Sequence, residues 1–299
     1  MAIHKRSYKP YEGRPTPEWS RFLILSRYSL ETLFQSRLLI AFLVACYLFP
    51  IFCGLTIYLH HNLSALTVLD ESAAGLIPID NEFFSIFLGV QGVFAFLLTA
   101  YAGPGLISPD LSNGALPLYL SRPISRVEYV LGKMAVLFIP LSAITWIPGL
   151  ILFGIQGGLE GGGWAWNNLR IAAALFMGSW LWIVILSLLA LAISAWVRWR
   201  LAASALLFGV FFVAAGFSEM INEVLRTKLG YLINLSHLIG TVWAKLFDLT
   251  ARHSFVRELF NVRRGDEVPL WAAWVMLGCV CAACVLLLNR RLKAREVVK

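Results

Sequence analysis

Six long apolar stretches dominate this chain, at 38–58, 83–103, 130–153, 171–195, 201–220 and 270–289. Each is close to the roughly 20 residues, at about 1.5 Å each, that a helix needs to cross the hydrocarbon of a bilayer. In hydrocarbon every backbone polar group must be paired within the segment or its neighbours, so these stretches read as helices. A membrane barrel would alternate apolar and polar residues in units of about ten, a pattern absent here. With 59% of its 299 residues hydrophobic, the chain has more apolar surface than a soluble domain of this size could cover. The predicted fold class is an all-α polytopic membrane protein with six transmembrane helices.

The charges between the stretches give the orientation. The N-terminal tail carries Lys5, Arg6, Lys9, Arg14, Arg21, Arg27 and Arg37. The next link, 59–82, has no Lys or Arg and holds Asp70, Glu71, Asp80 and Glu82. Arg122, Arg126 and Lys133 follow the second stretch, and Arg198 and Arg200 the fourth. The C-terminal tail holds Arg290, Arg291, Lys293, Arg295 and Lys299. Alternating the sides puts 17 basic residues on one face of the membrane and 8 on the other. By the positive-inside rule both termini are expected in the cytoplasm.

Three parts of the chain are expected outside the spans. Residues 1–37 form a cytoplasmic tail and interface helix. Pro17 and Glu18 suit a helix start. Beyond them Phe22, Ile24, Leu25, Tyr28, Leu30, Leu33 and Phe34 make an apolar side interrupted by Arg21, Arg27 and Glu31. The segment 221–269 is assigned outside although it holds seven bases, because the C-terminal tail would otherwise need another span. Within it, 230–247 is only moderately apolar and includes Asn234, His237 and Lys245. That composition suits a short re-entrant or interface helix. The basic tail 290–299 ends the six-span domain, 38–299.

Pro50 with Gly54, and Pro140 with Pro148, mark expected kinks or breaks. The glycine-rich run 157–163 is expected to be an external turn. Trp164, Trp166, Trp196, Trp199, Trp271 and Trp274 fall where headgroups meet water, whereas Trp180 and Trp182 lie deeper.

The chain offers little for catalysis. Gly132-Lys133 lacks the upstream glycines and the following Ser or Thr of a phosphate-binding loop. No cytoplasmic segment is large enough for a nucleotide-binding domain. His60, His61, Asp70 and Glu71 match no metal-binding template, and a wet acidic loop is expected there. Cys46, Cys53, Cys279, Cys281 and Cys284 all lie in spans and read as packing residues. Membrane phosphates, not nucleic acid, suit the net charge of +8. No cofactor or metal is expected on this chain.

The segment 103–133 reads GPGLISPDLSNGALPLYLSRPISRVEYVLGK. Gly103, Pro104, Gly105 and Pro109 break its start, and Asp110 is expected to cap a short helix. Leu111, Leu116, Leu118, Tyr119 and Leu120 are too apolar for a wetted loop, and prefer a partner's groove or the lipid interface. Ser125 and Glu128 have the spacing of a capping box. The geometry is a rigid elbow joined to two spans.

From Asp110 through Lys133, with its core Gly114-x-Leu116-Pro117-Leu118-Tyr119-Leu120-Ser121-Arg122-Pro123-Ile124-Ser125-Arg126 and then Glu128-Tyr129-x-x-Gly132-Lys133, this segment resembles the permease subunit of ABC-2-type transporters. Ahead of the Leu-rich part the common family pattern has two acids, and here Asp110 alone fills that role. The resemblance implies an elbow, 104–130, that docks into a cytoplasmic ABC ATPase subunit. ATP and Mg are then expected in that partner. It also implies export, pairing with an identical or related permease, contact with membrane lipids, and room for accessory subunits. Coupling is expected to rest on Asp110, Gly114, Leu116, Leu118, Tyr119, Arg122, Arg126 and Glu128. Gly132 is expected to permit close helix packing and Lys133 to reach the headgroups. The alternative is a membrane anchor or regulator of an ATPase complex that translocates nothing.

Overall fold

The computed structural model describes residues 21–62, 78–115, 125–249, 255–262 and 268–292. Within them the chain is helical, with no strand. Helix α1 is Arg21–Phe34, α2 Arg37–His61, α3 Asn81–Ala102, α4 Ser108–Ser112, α5 Arg126–Ile144 and α6 Trp146–Glu160. Then come α7 Gly162–Asn167, α8 Leu169–Trp196, α9 Arg200–Leu225, α10 Leu235–Leu246, α11 Phe255–Leu259 and α12 Leu270–Arg291. Six of the described segments are long and apolar enough to cross a membrane: α2, α3 with its extension to Ser112, α5 with α6, α8, α9 and α12. These are the six spans predicted from the sequence.

The spans divide into an inner and an outer set. Over their most apolar windows α3 and α8 are each 67% buried and the α5–α6 pair 61%. The corresponding values are 22% for α2 and α9 and 17% for α12. The inner spans carry the core, including Phe84, Phe87, Leu98, Leu137, Leu141 and Leu186. The outer spans present Ile51, Phe52, Phe212, Phe217, Val285 and Leu286 outward, as lipid-facing helices must.

Cross-links among the spans and the short helices beside them show that the bundle has two ends. At one, Ser36 and Tyr101 hydroxyls lie 2.9 Å apart, Ser26 donates to the Gly132 carbonyl, and Arg291 donates to the Ala195 carbonyl. This is called the elbow end. At the far end His61 hydrogen-bonds Gln156, Phe255 N donates to Glu82, and Arg170 reaches the loop after α10. Trp196 and Trp199 are exposed at the elbow end and Trp166 and Trp271 at the far end, an aromatic belt at each. Trp182 is different. It is buried and donates to the Gly92 carbonyl at 2.9 Å, tying α8 to α3.

Proline chemistry shapes two spans in different ways. Pro50 leaves the carbonyl four residues back, Cys46, without its helical donor. Gln91 Nε2 from α3 donates to that carbonyl at 3.0 Å. Helix α2 therefore runs on through Pro50 and is not broken there, contrary to one branch of the expectation. The third span does break. Thr145 sits between α5 and α6 with φ −103° and ψ −92°, three residues before Pro148. Tyr47 of α2 donates to the Ala143 carbonyl beside the break at 2.8 Å.

The glycine-rich run is a correction. Helix α6 continues to Glu160, and only Gly161, at φ 105°, interrupts before α7 begins. Gly157 stays helical because α7 packs on it. A Cβ there would lie 2.9 Å from Ala165 Cβ.

Helix α10 has 12 residues. At about 1.5 Å per residue it is too short to cross a bilayer. Its residues Leu238, Ile239, Val242 and Trp243 are buried against neighbouring spans. Arg170, one residue into α8, clamps its end by donating to the Lys245 and Leu246 carbonyls and pairing with Asp248 at 2.8 Å. The positive end charge thus meets the negative end of the helix dipole. The helix start expected at Pro17 and Glu18, the acids Asp70 and Glu71, and the tail beyond 292 lie outside the described residues.

Candidate functional site: the elbow after the second span

The second span does not stop at Ala102. It tightens into a 3-10 turn, Gly103–Gly105, and re-forms as α4 from Ser108, with Pro109 in its first turn, where the missing backbone donor costs no helical hydrogen bond. Ser194 of α8 pins this turn. Its hydroxyl accepts from Ile107 N and Ser108 N at 3.1 and 3.2 Å, and donates to the Pro104 carbonyl at 2.8 Å. Ser108 in turn donates to the Arg198 carbonyl at 2.8 Å. Backbone groups freed by the broken helix are paired by one hydroxyl, that of Ser194, from the fourth span.

Asp110 is not a cap. It lies inside α4, whose first residue has no side-chain cap. Its Oδ2 instead accepts from the Tyr129 hydroxyl at 2.7 Å and pairs with Lys133 Nζ at 2.8 Å. The Lys133 side chain is 7% exposed and that of Asp110 16%. Lys133 also donates to Ser29 of α1 at 3.4 Å. Its ammonium is thus turned toward the elbow and α1, not toward the headgroups as the sequence suggested. Two elements, α4 and α5, meet at this carboxylate, and Lys133 links them to α1.

Gly114 follows with φ +66°, the left-handed region in which a side chain is strained. The chain resumes at Ser125, whose hydroxyl accepts from Glu128 N while Glu128 Oε2 accepts from Ser125 N at 2.6 Å. The capping box is formed, and it commits the Glu128 carboxylate to starting α5. Arg126, next in line, is exposed. Gly132 faces α1 and its carbonyl accepts from the buried Ser26 at 2.8 Å. Leu116, Leu118, Tyr119 and Arg122 lie outside the described residues.

Arg200 completes the surround. Its Nη2 donates to the Tyr101 carbonyl at 2.9 Å and its guanidinium lies 4.9 Å from the centre of the Tyr101 ring. Between α1, the 3-10 turn and Arg200 lies a cavity of about 410 Å³, with Asp110 and Lys133 in its wall. Sequence reasoning missed Ser194, Arg200 and Tyr101 as elbow residues. A serine within an otherwise apolar span end was the available signal for Ser194.

Among the described residues no group of His, Cys, Asp and Glu is arranged to hold a metal ion. What the site has is mechanical: a bent segment fixed to α5 on one side and α8 on the other. A sequence profile described as "ABC-2 family transporter protein" matches residues 29–289, nearly the whole chain. The chain belongs to the ABC-2 transporter family. It is a multi-pass membrane protein and a permease component of an ABC transporter, as the resemblance of the elbow implied. Membership also implies partnership with an ABC ATPase subunit. Comparison with curated proteins finds no match.

Proposed function

We propose that this ABC-2 permease is one membrane half of an ATP-driven exporter in a bacterial cytoplasmic membrane, with the elbow end and both termini in the cytoplasm. A second permease, identical or related, completes the path. ATP and Mg belong to a separate ATPase pair beneath. Segment 116–124, carrying Leu116, Leu118, Tyr119 and Arg122, enters a groove on that ATPase, and Arg126 meets its carboxylates.

One observation carries this reading. The elbow is anchored on both flanks, by Asp110 to Lys133 and Tyr129 of α5 and by the turn before it to Ser194 of α8. A displacement of the elbow therefore moves three inner spans together. Closing of the ATPases shifts the population of membrane-domain states through that linkage. The charge pattern supports the orientation, since Arg37, Arg126, Arg198, Arg200, Arg290 and Arg291 all lie at the elbow end.

The test is recovery of the ATPase with the solubilised permease. A Leu118→Glu, Tyr119→Glu variant is expected to insert normally and to lose the ATPase. Normal recovery would count against docking. Substrate-stimulated ATP hydrolysis in liposomes without movement of that substrate would point to an anchoring or regulatory role.

A further inference from the structure

At the elbow end, beside the elbow but apart from the 410 Å³ cavity, a recess of about 260 Å³ opens between α4, the α8–α9 turn and the end of α12. Arg198 and Arg291 both line it, as do Leu111 and Ser112 of the elbow. Arg291 is held in place. Its Nε donates to the Ala195 carbonyl at 3.3 Å, and its guanidinium lies 5.6 Å from the centre of the Trp196 ring. Its two terminal amino groups have no protein partner among the described residues. Arg198 likewise has none for its guanidinium, and no described carboxylate lies within ion-pair distance of either. Two positive forks at one recess, that of Arg291 held in place, are a receptor for an oxyanion, and guanidinium suits phosphate through paired hydrogen bonds.

The surroundings identify the source of that phosphate. Trp196 is 50% exposed and donates to the Leu287 carbonyl, so its ring lies along α12. Leu286 and Leu287 continue as exposed apolar surface toward the bilayer centre. A phosphate in the recess thus sits at the head of an apolar lane, at the depth where Trp and Arg meet headgroups. Free phosphate would use the forks and leave the lane empty.

We infer that Arg198 and Arg291 form a seat for the phosphate of an anionic phospholipid, with its chains along Trp196 and Leu287. The bound headgroup bridges α8, α12 and the elbow helix α4, so lipid composition bears directly on the elbow. This inference needs only the membrane and is independent of docking to an ATPase.

The test is native mass spectrometry of the delipidated full chain titrated with phosphatidylglycerol or phosphatidylcholine. The wild-type chain is expected to retain phosphatidylglycerol selectively. The Arg198→Gln, Arg291→Gln double variant is expected to lose at least about tenfold in affinity, the equivalent of one charged hydrogen bond. Arg290→Gln removes the same charge next to the recess without lining it, and is expected to change affinity less than about twofold. Ser112→Asp leaves both arginines intact, places a negative charge in the recess, and is expected to weaken binding as the double variant does. Unchanged affinity in the double variant and in Ser112→Asp, or an equal loss in Arg290→Gln, would overturn the seat. Displacement of the lipid by millimolar inorganic phosphate would overturn the lipid source. Displacement by polyglutamate at lower concentration than by competing lipid would make the recess a protein dock instead.

Discussion

The carboxylate of Asp110 and the ammonium of Lys133 lie 2.8 Å apart and close the base of the elbow. The two helices that flank 116–124 in sequence, α4 and the capped start of α5, are thereby tied together. Removing one member leaves the other charged, shielded and without its counter-charge. Breaking a buried pair in this way costs about 3–5 kcal/mol, and the residual exposure of Asp110 puts the expected loss at the lower end. Lys133→Met and Asp110→Leu are each expected to lower the thermal midpoint of the solubilised chain. The double variant is expected to lose less than the sum. Additive losses would show that the pair is not coupled.

Gln91 serves the carbonyl that Pro50 leaves open, so the two positions are expected to be coupled. Pro50→Ala restores the helical N–H that Cys46 would otherwise receive. Gln91→Leu is then expected to cost less in the Pro50→Ala background than in the wild-type chain, by about 0.6–1.7 kcal/mol. A double-mutant cycle on thermal unfolding reads this difference directly. A cycle that closes at zero would remove the proposed role of Gln91.

Arg170 holds the end of α10 through two carbonyls and Asp248. The ion pair is more than half exposed on both sides, so its own contribution is small. Arg170→Ala is expected to raise hydrogen exchange in the last turn of α10 by about tenfold while leaving α3 and α8 unchanged. A uniform rise across the bundle would indicate global loosening and not a local clamp.

Orientation can be read with single cysteines in a chain whose native cysteines are replaced. Asn113→Cys, on the exposed part of the elbow, is expected to resist a membrane-impermeant maleimide in intact cells and to react after permeabilisation. Trp166→Cys, at the far end and 75% exposed, is expected to react without permeabilisation. The reverse pattern would invert the topology and remove the cytoplasmic elbow.

Much of this architecture was legible because bilayer physics acts on simple variables. Span position follows from the length of apolar runs, and the six predicted stretches sit within the six observed segments. The capping box was legible because Ser125 and Glu128 carry it locally. Long-range polar pairs were not. Asp110 and Lys133 are 23 positions apart and follow no period, so only the fold brings them together. The same holds for Ser194 with the 3-10 turn and Arg170 with α10. The glycine run misled because glycine marks either a loose turn or a close contact. Gly157 proved to be the second, and composition alone does not separate the two.

The interruption at Thr145 makes the third span two short rods meeting near mid-depth, with Tyr47 from the first span gripping the joint. A tilt that starts at Arg126 is carried rigidly only as far as that joint. There it would divide, part bending the outer rod and part pulling sideways on α2, so a push from one face of the membrane would arrive at the other as a lateral shift of a lipid-facing helix.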